Sequence, residues 1–284
     1  PELKARSYLI KDVLQARFQL EPHLFDLKLR GRDQAARAIK EALEAGYTKC
    51  FVGDVRDCYQ HVRIEALANL LPLQRAVVKN SLDYRNLTLR ERGLSVNYGG
   101  LYTAEGSRWN GPRGLLQGLP SSNIILAILF NSLAAHLSPH DCRVVLYGDN
   151  VFLAAPNDET LRTIIAAVRD YFHTHPAGPF DLKTSSRVVY PEDGFEFLSY
   201  FLSFSNGQAH IDFGTTGWHK METAIDDAVQ RQIAQSDFVS CTAENVARSY
   251  YCGYRAISGW HNQLNNRLDQ IAFELEDADM DRFQ

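Results

Sequence analysis

The sequence predicts a mixed α+β body reaching to about residue 205, followed by an all-helical tail. Three observations carry this. Short β-prone runs, KCFVGDV at 49–55 and the pair VVLY and VFLAA between 144 and 155, lie far apart along the chain. Segments with apolar residues at helical spacing are interleaved between and after them, and from Gly217 onward the pattern turns helical and aromatic. With 284 residues, 45% of them apolar and 23% charged, the chain can bury a substantial core.

Taken in order, residues 2–20 and 33–46 read as helices, the second opening after Asp33 as N-cap and stopping at Gly46. The 49–55 run is a strand. Residues 64–82 are helical, with Pro72 dividing them because proline cannot continue a helical ladder. From 83 to 113 the chain is polar and Gly-rich, a loop region with room for one hairpin. NIILAILFNSLAAHL, 123–137, is apolar nearly all round and predicts a buried helix capped from Ser121 and Ser122. VVLY and VFLAA then form strands joined by a two-residue turn, and glycine first in that turn, Gly148, is the type II′ signature. Residues 158–175 form a helix with an acidic first turn, and RVVY and FEFLSYFLS, near 187–203, are strands. There is no internal repeat and no low-complexity segment.

Several classes are disfavoured by composition. A net charge of −4 and a pI near 6.2 argue against a whole-surface nucleic-acid binder, although the acidic stretch ELEDADMD near the end contributes part of that charge. The five cysteines are odd in number and lack CxxC spacing, so neither a disulfide framework nor a zinc site is indicated. No apolar run reaches the ~20 residues of a membrane span. PELKARSYLIKD lacks a signal-peptide core, so no membrane contact and a cytoplasmic setting are expected.

Two carboxylates stand out. Asp54 ends the first strand, and Asp149 sits on the later hairpin tip; separately these are a cap and a turn residue. Together, brought to one sheet, they suit a hard cation. Mg²⁺ prefers oxygen ligands and is typically held by one or two carboxylates with substrate phosphates, and a pair of such ions serves in-line displacement at phosphorus.

The pattern around these residues resembles the reverse transcriptases of bacterial retroelements and group II introns. FVGDVRDCYQHV is similar to their first aspartate motif, with Asp54, then Val55, and an aromatic, Tyr59, five positions on. LLQGLPSSNIILAILFN resembles the Gln-Gly-x-Pro-x-Ser turn opening an apolar helix (Gln117, Gly118, Pro120, Ser122), and LYGDN stands where the family has Tyr-x-Asp-Asp. DLKTSSRVVY, with Lys183, resembles the lysine motif, and FEFLSYFLS the Phe-Leu-Gly-Tyr strand pair. ARSYLIKDVLQ and LFDLKLRGRDQAARAIKEAL resemble the segments before the first aspartate motif. Ordered motifs across residues 50–203 are far harder to obtain by chance than any single one.

The resemblance implies a right-handed polymerase palm, an antiparallel sheet with packed helices, over 49–205, then a helical thumb over 206–284, after incomplete fingers over 1–48. The basic fingers hairpin is missing, and the chain is expected to begin after it. Asp54, Asp149 and the carbonyl of Val55 would hold two Mg²⁺ ions, with Mn²⁺ a substitute, and Asn150 completes the catalytic turn. Tyr59 would lie under the incoming sugar and select dNTPs, Gln117 and Gly118 would place the template base and nucleotide, and Lys183 would protonate the departing pyrophosphate. Trp218, Tyr250, Tyr251, Tyr254 and Trp260 among Arg248, Arg255 and Arg267 would form the thumb, the arginines facing nucleic acid. The implied partners are an RNA template, a primer with its DNA product, dNTPs, and a non-coding RNA or accessory protein supplying the fingers; the implied settings are retroelements and antiviral defence. Asn150 departs from the pattern: an amide replaces the second aspartate, removing one negative charge, as in some viral RNA polymerases. It keeps two alternatives open, a template-independent or RNA-synthesising polymerase and a catalytically silent palm that binds RNA or protein.

Overall fold

Strand β1, Lys49–Asp54, buries Cys50, Phe51 and Gly53 and pairs antiparallel with β5, Asn150–Ala155, which in turn pairs with β4, Arg143–Tyr147. With β6, Arg187–Val189, on the far side of β1, the sheet order is β4-β5-β1-β6. β5 is buried at all positions from Val151 to Ala155, as its apolar run requires of a central strand. The exposed edge of β4 is covered by the segment around His23 and Leu24, through Leu146 N–H to His23 O at 2.8 Å and Phe25 N–H to Leu146 O at 2.9 Å.

In the computed structural model the described residues are 2–25, 30–83, 88–91, 94–97, 114–220, 223–224, 227 and 256–257. The chain forms two units, one of Pro1–Gly31 with Tyr47–Val188 and one of Arg32–Gly46 with Val189–Gln284. It is a mixed fold of antiparallel sheets and helices.

In the first unit, helix α1, Glu2–Arg17, packs on the apolar helix 120–129, and the short helices 58–61, 64–70 and 75–81 follow β1, with the break around Pro72 where proline predicts it. Within the polar 83–113 region, strand β2, Thr88–Glu91, pairs with β3, Leu94–Asn97, as one hairpin. The long helix 158–174 is capped by the Asn157 side chain accepting from Thr160 N–H at 2.8 Å, and it packs on β1 and β5.

The apolar segment departs from expectation at both its start and its middle. Its residues 120–137 have the length and mean hydropathy, 1.3, of a bilayer span, yet Ile124–Phe130 are buried in this unit's core. It begins at Pro120 after Leu119, so the serines do not cap it. Instead Ser7 Oγ, from α1, accepts the Ser121 N–H at 2.8 Å, satisfying an orphan helix donor from another helix, and Ser122 Oγ donates to Leu116 O. The segment then breaks into helices 120–129 and 133–137. The Leu129 carbonyl accepts from Tyr171 Oη at 3.1 Å and His175 Nε2 at 2.9 Å, Asn131 Oδ1 accepts from Glu21 N–H, and Ser132 Oγ bonds Tyr171. Side chains thus take over the backbone groups that the interrupted ladder releases. Phe130, Phe172 and Phe180 pack edge-to-face around the break, with centroids 5.0 and 5.3 Å apart.

In the second unit, helix 31–44 accompanies a three-stranded antiparallel sheet of Phe195–Phe197, Tyr200–Ser205 and Gln208–Phe213. Tyr200 is fully buried, its hydroxyl donates to Asp33, and burial followed by that carboxylate pushes the phenol far up. Ala209 N–H donates to Glu44 Oε1 at 3.3 Å. The sheet extends beyond the body end near 205 that the sequence predicts, through the tight Asn206-Gly207 turn. Helical backbone then begins at 215, where Trp218 packs on Phe213 at 4.8 Å. Tyr250, Tyr251, Tyr254, Trp260, Arg248, Arg255 and Arg267 lie outside the described residues.

Two predictions follow from these packing facts. Leu198 and Ser199 join two strands with φ of 53° and 66°, a left-handed pair that favours glycine. Ser199→Gly relieves strain at one of them and is expected to raise stability by about 0.5–1 kcal/mol in denaturant titration; a loss would refute the strain. His175 accepts from Ala177 N–H at Nδ1 while donating from Nε2, which fixes a neutral ring, and burial lowers its pKa below 6.5. Burial lowers His23 likewise. Because the unfolded chain takes up these protons at a higher pH than the folded one, stability is full above 6.5 and is lost as pH falls below it. Denaturant midpoints should therefore drop on acidification from neutral pH, and a His23→Asn, His175→Gln double variant should flatten that slope.

Candidate active site

The register of β1 against β5 sets Asp54 opposite Asn150, directly beside the hairpin tip. The tip is the two-residue turn Gly148-Asp149 between paired Tyr147 and Asn150, and its positive φ falls on Gly148 (60°) and not on Asp149, the type II′ sign pattern. Past the end of β1, Val55 N–H donates to Asp149 O at 2.9 Å. Two residues that lie about a hundred positions apart in sequence thus share one sheet end.

A third segment closes this end from the other side. Lys183 N–H donates to Asp54 O at 2.7 Å, Arg56 N–H donates to Asp181 O at 2.7 Å, and Val55 bridges Leu182. Gly53 makes the approach possible: a Cβ there would lie 2.8 Å from the Phe51 ring and 3.2 Å from Ser186 Oγ. Ser186 Oγ in turn accepts the Asp54 N–H at 3.3 Å. This backbone lacing delivers Lys183 Nζ to 2.8 Å from Asp54 Oδ1.

The electrostatics follow from that crowding. Asp54 Oδ1 is enclosed and accepts no hydrogen bond of ordinary geometry, so its short contact with Lys183 is a pairing of charges. Asp149 has its carboxyl pushed above the usual range, first by burial and next by the Asp54 charge. Lys183 is held protonated by its bond to Asp54, which raises its pKa. Beneath them Cys58 is buried, and burial together with both aspartates drives its thiol well up, so it stays a neutral thiol.

Asn150 has its amide nitrogen turned inward. Nδ2 donates to Tyr147 O at 3.2 Å and to Asp149 Oδ1 at 3.1 Å, and because both neighbours are acceptors the NH₂ must face them. The side chain acts on Asp149 as a donor.

Tyr59 lies above the same turn. A Cβ on Gly148 would stand 3.9 Å from its hydroxyl, which donates to Asn123 Oδ1 at 3.0 Å on the first turns of helix 120–129. Leu115 N–H donates to Tyr59 O at 2.8 Å, stitching the start of the 114–119 loop to the same residue. Gln117 and Gly118 are exposed on that loop, Gly118 with φ of 81°. The structure therefore groups Asp54, Val55, Tyr59, Asp149, Asn150 and Lys183 at one sheet end, with Gln117 and Gly118 on the adjoining loop. Sequence reasoning passes over Cys58, Asn123 and Ser186; only the spacing of Cys58 four residues after Asp54 gives any local sign of a role. Among the described residues no three His, Cys, Asp or Glu side chains converge as a metal cluster.

No protein-family model matches the chain, and no curated protein sequence matches it significantly. Among solved structures, telomerase from Candida albicans in complex with a TWJ fragment of telomeric RNA is similar at 11% identity and a TM-score of 0.47, over 95% of this chain and 55% of that one. Apo telomerase from Candida tropicalis is similar at 12% identity and a TM-score of 0.46, over 99% and 50% of the respective chains. Its form truncated of the C-terminal domain gives 14% identity and a TM-score of 0.43, over 74% and 45%. The chain thus spans about half the length of each structure, and at these scores the likeness is too loose to bear on function.

Proposed function

We propose that this chain is a reverse-transcriptase-like nucleotidyltransferase whose site is the sheet end of Asp54 and Asp149. The observation that carries the reading is the convergence of the two carboxylates with a lysine: Val55 N–H on Asp149 O, Asp54 opposite Asn150, and Lys183 Nζ 2.8 Å from Asp54. A buried carboxylate oxygen whose partner is a cation, beside a second carboxylate, is the donor set a hard divalent ion takes.

Asp54, Asp149 and the Val55 carbonyl are the groups that hold Mg²⁺ in this reading, with Mn²⁺ as substitute. The bound ions supply charge neutralisation for attack of a primer 3′-hydroxyl on a dNTP α-phosphate and for departure of pyrophosphate. Lys183, held protonated at Nζ beside Asp54, would give that proton to the departing pyrophosphate. Tyr59, fixed by Asn123, presents its ring beside the turn and excludes a 2′-hydroxyl. Gln117 and Gly118 offer an exposed backbone for the template base and nucleotide. RNA template, primer and dNTPs are the substrates; a non-coding RNA or accessory protein supplies the remaining grip, and a retroelement or antiviral role in the cytoplasm is the setting.

A second reading, a palm kept as an RNA- or protein-binding module, draws on one observation. Asn150 directs a donor, not an oxygen, at Asp149. That hydrogen bond stabilises the Asp149 carboxylate without a metal, as a silent scaffold requires.

Primer extension separates the readings. With Mg²⁺, an RNA template and dNTPs, the wild type should extend a primer, and Asp54→Ala and Asp149→Ala should each lower the rate by about 10³-fold, the several kcal/mol that metal activation contributes. Tyr59→Ala should narrow the preference for dNTPs over NTPs. Extension indifferent to Asp54 sinks the polymerase reading; unchanged RNA binding in both alanine variants, with no extension by the wild type, supports the scaffold. Asn150→Asp removes two donated bonds and adds a like charge beside Asp149, so in EDTA it should lose about 1–2 kcal/mol in thermal or denaturant melts. Mg²⁺ should restore more stability to that variant than to the wild type; equal melts in EDTA would refute the donor role of Asn150.

A further inference from the structure

We infer that the open cleft on the outer side of Lys183 is a pyrophosphate-binding site, distinct from the pair of aspartates. The cleft encloses about 570 Å³, within the range of small-ligand pockets and more than a single phosphate fills. Arg56, Arg169, His173, Lys183, Thr184 and Ser186 line it. Arg56 follows Val55 directly in sequence, while Arg169 and His173 lie four residues apart on helix 158–174, so one face of that helix presents both to the cleft.

The charge arrangement decides the ligand class. Of the two lining carboxylates, Asp181 is faced by His173 at 3.7 Å and Asp170 stands next to Arg169 in sequence. Among the described residues neither the Arg56 nor the Arg169 guanidinium has an ion-pair or hydrogen-bond partner. Two unpaired planar forks lining one cleft, with the Lys183 ammonium held by Asp54 at its edge, offer the oxygens of a polyphosphate paired charge-assisted bonds that a point charge cannot. The Thr184 and Ser186 hydroxyls add neutral donors. The fold assembles the cluster from three separate stretches, around Arg56, on helix 158–174 and over 183–186.

The assignment of pyrophosphate, and not of another phosphate oxyanion, rests on the nucleotidyltransferase reading, since that reaction releases pyrophosphate beside Lys183. The site would receive it on departure from the aspartates. No covalent step is involved.

The test is calorimetric titration of the purified chain with inorganic pyrophosphate in EDTA, where divalent cations cannot bridge it to Asp54 or Asp149. Orthophosphate and sulfate at matched ionic strength are run alongside. Pyrophosphate should bind at least about fivefold more tightly than either, and Arg56→Ala and Arg169→Ala should each weaken it by about tenfold, the weight of one charge-assisted contact. Both arginines are exposed, so the variants keep the fold, and Arg169→Lys should recover only part of the affinity. Asp54→Asn should leave binding intact or tighten it. Indifference to both arginines, or equal binding of sulfate, overturns the site. The two proposals fail separately: arginine-dependent pyrophosphate binding without primer extension removes the polymerase reading alone, and Asp54-dependent extension with arginine-independent binding removes this one alone.

Discussion

Everything at the site depends on the antiparallel register of β1 on β5. Antiparallel pairing puts the end of one strand beside the start of its neighbour, so a residue ending β1 must meet the turn that opens β5. Because β5 is buried at every position from Val151 to Ala155, its apolar run does not itself select one alignment; the register is tied at the shared end by backbone bonds, Val55 N–H to Asp149 O and Lys183 N–H to Asp54 O. The carboxylates are neighbours because this pairing and these bonds hold the end of β1 against the turn.

Placing two carboxylates together has an electrostatic consequence that the surrounding residues answer. Burial raises the Asp149 pKa first, and the neighbouring Asp54 charge raises it further. Lys183 offsets the charge on Asp54 and Asn150 donates to Asp149, so without any ion the pair is held in balance by one cation and one amide. The ammonium stands directly against Asp54 Oδ1, at 2.8 Å. Lys183 thus touches Asp54 and also lines the cleft that carries Arg56 and Arg169.

Much of this was legible in the sequence, and the reasons for the gaps are specific. The hairpin is readable because Gly148 supplies the one positive φ that a type II′ turn needs, and the helix division because Pro72 cannot donate. The serines before the apolar helix look like caps by residue type, but Pro120 already occupies the first turn and Ser7 supplies the oxygen from over a hundred residues away. Local propensity holds no record of such a partner. Strand 208–213 was within reach: Asn206-Gly207 is a hairpin signal and Ala209, Ile211 and Phe213 alternate with exposed neighbours, though Gln208, His210 and Asp212 make the run look polar. The meeting of Arg56 with Arg169 has no signature along the chain, since it arises only when helix 158–174 packs on β1.

The site is also stiff where chemistry needs it to be. Asp54 and Asp149 are carried on paired strands, Lys183 on a segment laced to Asp54 and Val55 by backbone bonds, and Tyr59 by its hydroxyl on Asn123 of the core helix. That helix is fixed at its start by Ser7 and at its break by Tyr171 and His175. A shift of helix 120–129 would drag Asn123 and with it Tyr59, so the packing of α1 reaches the Tyr59 side of the turn through two hydrogen bonds. Gln117 and Gly118, by contrast, stand exposed on the loop before the helix, outside this lacing of paired strands and core helix.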